Sequence, residues 1–210
     1  ALNGFVTDDW DNFYTTTNGG SSWTKTAVGH NFIDLYFTDN NIGYASGGTF
    51  STSSAVLSKT TDGGQNWTPL LTVSNPNLFV SSFDKMDFVS PTEGFVLMGN
   101  TNQIYKTLDG GNSWDTITVA AVEFIGDFDF TSANRGHLLS LAGELFVTTD
   151  GGQTWTMEYA TTWGAYGPSV FLYSIAFVNE TGYVGGSNGL IKKHVDMGTG
   201  IQKIASTIAI

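Results

Sequence analysis

The chain has 210 residues, 40% of them hydrophobic, with 26 glycines, no cysteine and a formal net charge of −11 carried against seven lysines and a single arginine. Without thiols it forms no disulfide and no thiolate metal site, and without clustered Lys and Arg it is a poor match for nucleic acid or an anionic membrane surface. No apolar run reaches the roughly 18 residues of a bilayer-spanning helix, so no membrane insertion is expected, and the start shows no basic region followed by an apolar one, so any secretory leader is expected to be already gone.

The chain opens on Asn3-Gly4-Phe5-Val6, which matches the second strand of a pattern repeated downstream. The first repeat is therefore expected to lack its first strand, either because the sequence begins inside a longer parent, the favoured reading, or because another segment completes that blade. Next comes the box Thr16-Thr17-Asn18-Gly19-Gly20-Ser21-Ser22-Trp23. The second repeat reads as four short strands near 32–38, 43–47, 55–60 and 66–73, aromatic or β-branched and bounded by turn residues. Between its last two strands lies Thr60-Thr61-Asp62-Gly63-Gly64-Gln65-Asn66-Trp67. Thr107-Leu108-Asp109-Gly110-Gly111-Asn112-Ser113-Trp114 and Thr148-Thr149-Asp150-Gly151-Gly152-Gln153-Thr154-Trp155 repeat it, and His194-Val195-Asp196-Met197-Gly198 is a worn fifth copy. Ahead of each later box stands an aromatic strand, a turn, then Gly and another strand, as in Met86-Asp87-Phe88 with Gly94-Phe95-Val96.

The third box residues, Asn18, Asp62, Asp109, Asp150 and Asp196, lie 44, 47, 41 and 46 residues apart. Four short strands per period of this length predict an all-β fold, a β-propeller of four-stranded antiparallel blades. Five repeats are expected, about 1–29, 30–74, 75–120, 121–160 and 161–206, forming a single domain without internal linkers.

The frame Ser/Thr-x-Asp-x-Gly-x-x-Trp resembles the Asp-box, or BNR repeat, of sialidases, sortilin-type receptors, some xyloglucan hydrolases and the photosystem assembly propellers. Its rhythm is most similar to the last group. The resemblance implies a hairpin between the third and fourth strands of each blade. There the Asp accepts N–H groups of its own turn, the glycines supply positive φ, the Thr adds a hydroxyl and the Trp packs its ring back. Thr16, Asn18, Trp23, Thr60, Asp62, Gly64, Trp67, Thr107, Asp109, Gly111, Trp114, Thr148, Asp150, Gly152, Trp155 and Asp196 are thus read as scaffold. Asn18 supports this, since an amide still makes the turn but cannot serve as an acid.

The families sharing the box do different things, so each chemistry must be tested on residues. Sialidases grip a carboxylate with three arginines, whereas here Arg135 stands alone. A glycoside hydrolase or lyase needs two facing carboxylates. In propellers the first strands line the central channel, where Asp34, Asp87, Asp127 and Asp129 align. They are read first as hydrated channel lining and turn caps, with a cation site or catalysis as the alternatives. His30, His137 and His194 show no zinc spacing, and Gly47-Gly48 and Ser187-Asn188-Gly189 read as turns. No cofactor and no metal is expected.

Four of the six tryptophans anchor boxes, leaving Trp10 and Trp163 on polar loops. Both loop types emerge opposite the boxes in propellers, and rings there suit a sugar or protein surface. Tyr166, Phe50, Phe79, His30 and Asn102 are their expected companions in binding, with Asn31, Asn77, Gln103 and Glu144 nearby. The expectation is a non-catalytic binding module for a protein or glycan in a secreted or cell-surface bacterial protein. The tail Gly198-Thr199-Gly200-Ile201-Gln202-Lys203-Ile204-Ala205 resembles linkers of type IX secretion cargo, which implies that machinery as a partner through a further C-terminal domain.

Overall fold

The computed structural model describes residues 2–8, 11–28, 31–49, 53–74, 82–160, 172–178, 181–187, 191–195 and 207–208. Five antiparallel sheets follow one another along the chain. The first has three strands, β1 (Gly4–Thr7), β2 (Asn12–Thr16) and β3 (Thr24–Ala27). The second holds β4 (Asn31–Phe37), β5 (Gly43–Thr49), β6 (Ser54–Thr60) and β7 (Thr68–Ser74), and the third β8 (Phe83–Phe88), β9 (Gly94–Met98), β10 (Gln103–Thr107) and β11 (Asp115–Thr118). The fourth holds β12 (Ile125–Phe130), β13 (Gly136–Ser140), β14 (Glu144–Thr148) and β15 (Thr156–Ala160), and the fifth β16 (Leu172–Val178), β17 (Thr181–Gly186), β18 (Ile191–Val195) and β19 (Thr207–Ile208). Each is a meander of neighbours in sequence, the blade unit expected from the period. Gly47 and Gly48 lie inside β5 and not in a turn. A Cβ on Gly47 would strike the carbonyl of Asn31 at 1.9 Å, so close backbone approach explains that glycine.

In the second, third and fourth sheets the second strands are deeply buried, whereas β1 and β17 are only partly so. Every residue of β9 and β13 is buried, and all of β5 except Thr49. First strands carry a shared irregularity, a bulge at Ile33, Asp84, Gly126 and Tyr173. At Ile33 and Tyr173 the bulge turns an apolar side chain outward near the strand's start, and in all four it resets the register beyond it.

A phenylalanine at or next to the end of each first strand lies opposite a glycine at or next to the start of the second. The pairs are Phe37↔Gly43, Phe88↔Gly94, Phe130↔Gly136 and Phe177↔Gly182. A Cβ on those glycines would sit 2.4–2.5 Å from the ring. The ring therefore lies flat on bare backbone, which no other residue type permits.

The chain divides into two compact units, residues 1–99 with 105–115, and residues 100–104 with 116–210. In the first, Tyr44, Ala55, Leu57, Phe83, Met86, Phe88, Val96, Met98 and Tyr105 form the core. Phe5 stacks on Phe37 at 3.7 Å and Tyr44 on Phe88 at 4.2 Å. In the second, Leu139, Leu145, Leu172, Ile175, Phe177 and Val184 pack together, and His137 stacks on Phe177 at 3.6 Å.

Two glycines give a test of this packing. Gly64 has φ +86 and its Cβ would meet the Phe13 ring at 2.1 Å, whereas nothing lies within 4 Å of a Cβ on Gly185. Gly64→Ala should lower stability by about 2–4 kcal/mol, and Gly185→Ala should be neutral or slightly stabilising, as read from urea denaturation midpoints.

Candidate functional site

The boxes carry the repeated acids of the chain. In each of the three full copies the Thr hydroxyl donates to the Asp carboxylate, Thr60 to Asp62 at 2.8 Å, Thr107 to Asp109 at 2.9 Å and Thr148 to Asp150 at 2.8 Å. The same hydroxyl accepts the N–H of Gly64, Gly111 and Gly152 at 2.8, 2.9 and 2.9 Å. The carboxylate then accepts the backbone N–H four residues on, from Asn66, Ser113 and Thr154, each at 2.9 Å. Its second oxygen takes their side chains at 2.8, 2.6 and 2.6 Å. Both glycines of every box hold positive φ. The first glycine N–H reaches the turn joining first and second strands, from Gly63 to Asn41, Gly110 to Thr92 and Gly151 to Asn134.

Asn18 keeps this net with one reversal. Its Oδ1 accepts from Thr16 and from the Ser22 N–H, both at 2.9 Å, while its Nδ2 donates to the Ser22 hydroxyl at 2.8 Å. The amide therefore replaces the acid without loss of the turn. Trp114 and Trp155 donate Nε1 to the carbonyls of Gly111 and Gly152 at 3.1 and 3.0 Å. Trp67 instead meets Phe13, Phe32 and Phe37 edge-on. Trp23 is 43% exposed.

These bonds hold the acids ionised. The pKa values of Asp62, Asp109 and Asp150 fall from 3.8 to about 2. The largest cause is the side chain four residues on, Asn66, Ser113 or Thr154, followed by that residue's backbone N–H. An acid so held is neither a proton donor near neutral pH nor a free ligand.

Three first-strand acids are committed as well. Asp34 accepts the N–H of Leu35 at 2.9 Å with one oxygen and that of Met86, on the next blade, at 2.9 Å with the other. Asp127 does the same with Phe128 at 2.9 Å and Ile175 at 2.8 Å, and Asp129 takes Phe177 N–H at 2.6 Å. Channel lining and turn capping was the sequence expectation for these residues. Their carboxylates instead staple a first strand to the first strand of the following blade. Asp84, on its bulge, takes the Ser82 hydroxyl and packs on Gly99, and burial of its carboxyl raises its pKa. His137 is fully buried against Phe177, 3.8 Å from Glu158. Among the described residues no three His, Asp or Glu side chains converge for a metal.

The ends of the sheets away from the boxes carry the second–third turns and the blade-to-blade connections. Asn102, the one expected ligand residue that is described, donates Nδ2 to the carbonyls of Val119 and Val122, each at 3.3 Å, and so ties the β9–β10 turn to the connection between β11 and β12. Glu144 accepts the Ser140 hydroxyl at 3.0 Å. Trp10, Trp163, Tyr166, Phe50, Phe79, His30 and Asn77 lie outside the described residues, as does Asp196 of the worn box. Sequence reasoning missed an exposed apolar pair in the second unit. Phe124, 40% exposed, precedes β12, and Leu141, 55% exposed, caps the β13–β14 turn. The Leu141 N–H donates to the Phe124 carbonyl at 3.2 Å, which ties the two loops together. A single large residue in an Ala/Gly/Glu loop was their only signal.

A family model described as the photosynthesis system II assembly factor YCF48 matches residues 111–207. No curated protein matches. Among solved structures, an ancestral GH74 enzyme is 17% identical over 97% of this chain and 29% of its own, with a TM-score of 0.71. YCF48 from Cyanidioschyzon merolae is 15% identical over 99% of this chain and 66% of its own, with a TM-score of 0.67. The GH74 enzyme of Niastella koreensis is 19% identical over 97% of this chain and 35% of its own, with a TM-score of 0.68. The chain spans less than two thirds of the length of each. At these identities the likeness establishes the fold, a BNR-type β-propeller.

Two outcomes follow from the carboxylates. Because the folded box pKa lies below the unfolded one, the ionised boxes stabilise the fold above about pH 4 and lose that contribution as pH falls toward about 2. Replacing Asp62, Asp109 and Asp150 by Asn should flatten the fall in denaturation midpoint across that window, since Asn18 already shows an amide suits the turn. Asp127→Ala should cost about 1–3 kcal/mol in urea unfolding, because it strands the buried N–H groups of Phe128 and Ile175.

Proposed function

We propose that the chain is a non-catalytic, polypeptide-binding module. The observation that carries this is the state of the acids: Asp34, Asp62, Asp109, Asp127, Asp129 and Asp150 all accept backbone N–H groups. A glycosidase needs one carboxyl protonated and one free to attack or to activate water; the turns hold Asp62, Asp109 and Asp150 ionised, and Asp34, Asp127 and Asp129 spend their oxygens on backbone N–H groups. The exposed residues include large apolar side chains. Phe124 and Leu141 stand on the ends of the sheets that loop variation can alter without touching the blades. The match of residues 111–207 to the assembly-factor model supports a protein ligand.

Glycan binding is the second ligand class, since Trp10 and Trp163 are not used by the boxes. A secreted or cell-surface bacterial setting, with type IX secretion machinery acting through a further domain, belongs to the same proposal. It rests on the cysteine-free, acidic composition and on the sequence of residues 198–205.

Panning the chain against a displayed peptide library, alongside a glycan array and a xyloglucan hydrolysis assay, separates the classes. Peptide enrichment is expected, with affinity falling about tenfold or more in the Phe124→Ser/Leu141→Ser variant. Hydrolysis that survives in that variant, or glycan binding with no peptide enriched, would overturn the proposal.

A further inference from the structure

Four boxes place an acid or its amide directly before a glycine: Asn18-Gly19, Asp62-Gly63, Asp109-Gly110 and Asp150-Gly151. Such a pair is able to close on itself, because no side chain on the glycine stands between its nitrogen and the preceding Cγ. Ring closure needs a neutral, electrophilic Cγ. Asp62, Asp109 and Asp150 do not offer one, since the side chain and backbone N–H four residues on hold each as a carboxylate, at a pKa of about 2. Asn18 is an amide and stays neutral. It is the copy in which ionisation gives no protection.

Hydrogen bonds are what protect Asn18. The Gly19 N–H donates to the Leu2 carbonyl at 2.7 Å. Solvent base removes that proton only when the bond opens, as in amide exchange. The Asn18 Oδ1 accepts the Thr16 hydroxyl and the Ser22 N–H, both at 2.9 Å, and its Nδ2 donates to the Ser22 hydroxyl at 2.8 Å. Both ends of the amide are thus tied, so its Cγ is not free to swing onto the Gly19 nitrogen. The Thr16 hydroxyl also accepts the Gly20 N–H at 3.0 Å, which fixes the turn. Asn18 and Gly19 are exposed, so water reaches them once the turn opens.

We propose that Asn18 is a deamidation site, guarded by the closed turn, whose aspartate product is a complete Asp-box. On opening, the deprotonated Gly19 nitrogen attacks the Asn18 Cγ. The Cγ–Nδ2 bond breaks, the nitrogen leaves as ammonia after taking a proton from water, and a cyclic succinimide remains. Water then opens the ring. Cleavage between Cγ and the Gly19 nitrogen gives aspartate on an unchanged backbone. Cleavage at the backbone carbonyl gives isoaspartate, with the main chain running through Cγ. The aspartate meets its partners in place: the Thr16 hydroxyl and Ser22 N–H on one oxygen, the Ser22 hydroxyl on the other, as the Ser113 hydroxyl serves Asp109 at 2.6 Å. Ser22 has only to turn its hydroxyl from acceptor to donor. Isoaspartate lengthens the main chain ahead of Gly19 and Gly20, both held at positive φ, and so breaks the turn.

Incubating the full chain at neutral pH, folded and in urea, with peptide mapping by mass spectrometry, reads the change from amide to acid at each position. Asn3-Gly4 and Asn188-Gly189 are further Asn-Gly pairs in the same digest. In urea, Asn18 should convert as fast as they do, to both aspartate and isoaspartate. In the folded chain its conversion should be about tenfold or more slower than in urea. Ser22→Ala removes the acceptor of Nδ2 and should raise the folded rate severalfold, and Thr16→Val, which frees Oδ1 and the Gly20 N–H, should raise it further. After refolding, the aspartate product should share the urea midpoint of Asn18→Asp, and the isoaspartate product should fall below it. An Asn18 that stays an amide in urea overturns the site. Equal rates with and without urea, or a folded rate that Ser22→Ala leaves unchanged, overturn the guard, and equal midpoints for the two products overturn the completed box. If Thr16→Val does not fold, Ser22→Ala and the urea comparison decide alone.

Discussion

A short four-stranded sheet has two apolar faces and too little chain to cover either, so every blade must be buried by its neighbours. The contact on which this depends is a phenylalanine ring held between a bare glycine and an aromatic ring. Phe37 lies on Gly43 of its own blade and under Phe5 of the preceding one; Phe88 lies on Gly94 and under Tyr44; Phe177 lies on Gly182 and under His137. The glycine is needed because a Cβ would occupy the ring's own place. The flat ring then offers its second face to the next layer. One arrangement thus sets the pairing of first and second strands and the spacing between blades.

The boxes solve a related problem at the rim. A hairpin between outer strands must be rigid enough to be pressed on by the blade before it. Leu70 bears on Gly111 at 2.6 Å and Ile117 on Gly152 at 3.0 Å, measured to the Cβ position. The Thr and Asp bonds make a turn that needs no support from outside. Carboxylates suit this because they accept several N–H groups at once, and the same property removes them from catalysis. Asp34 and Asp127 extend the principle to the first strands, where each bridges two blades with its two oxygens.

The parts of the fold that were legible in the sequence are those fixed by local chemistry. Box turns follow from Asp, Gly and Thr within a few residues, and the period follows from counting them. The expected strands at 32–38, 43–47, 55–60 and 66–73 fall within a residue or two of β4 to β7. What was not legible depends on partners far along the chain. Asp34 meets a backbone N–H 52 residues away, and Asp127 one 48 residues away. Nothing near either residue distinguishes a staple from a hydrated acid. Gly47 read as a turn because its reason, the Asn31 carbonyl, lies on another strand. Phe124 and Leu141 drew no reading at all, because an apolar residue in a loop carries no sign of whether it is covered.

Trp23 and Trp67 show where local reasoning ends in a repeat protein. Both close the same box, on turns with the same hydrogen bonds and the same positive-φ glycines. Trp67 is ringed by Phe13, Phe32 and Phe37, while Trp23 is 43% exposed. The motif does not decide between these outcomes; the strand and blade beside it do. Internal repetition therefore supplies a control that a single domain lacks. Each position has counterparts, and a difference in burial between them traces to the strands packed beside each. Features common to all copies, such as the box acids, are scaffold by the same logic. Function in such a chain is to be sought where one copy departs from the rest.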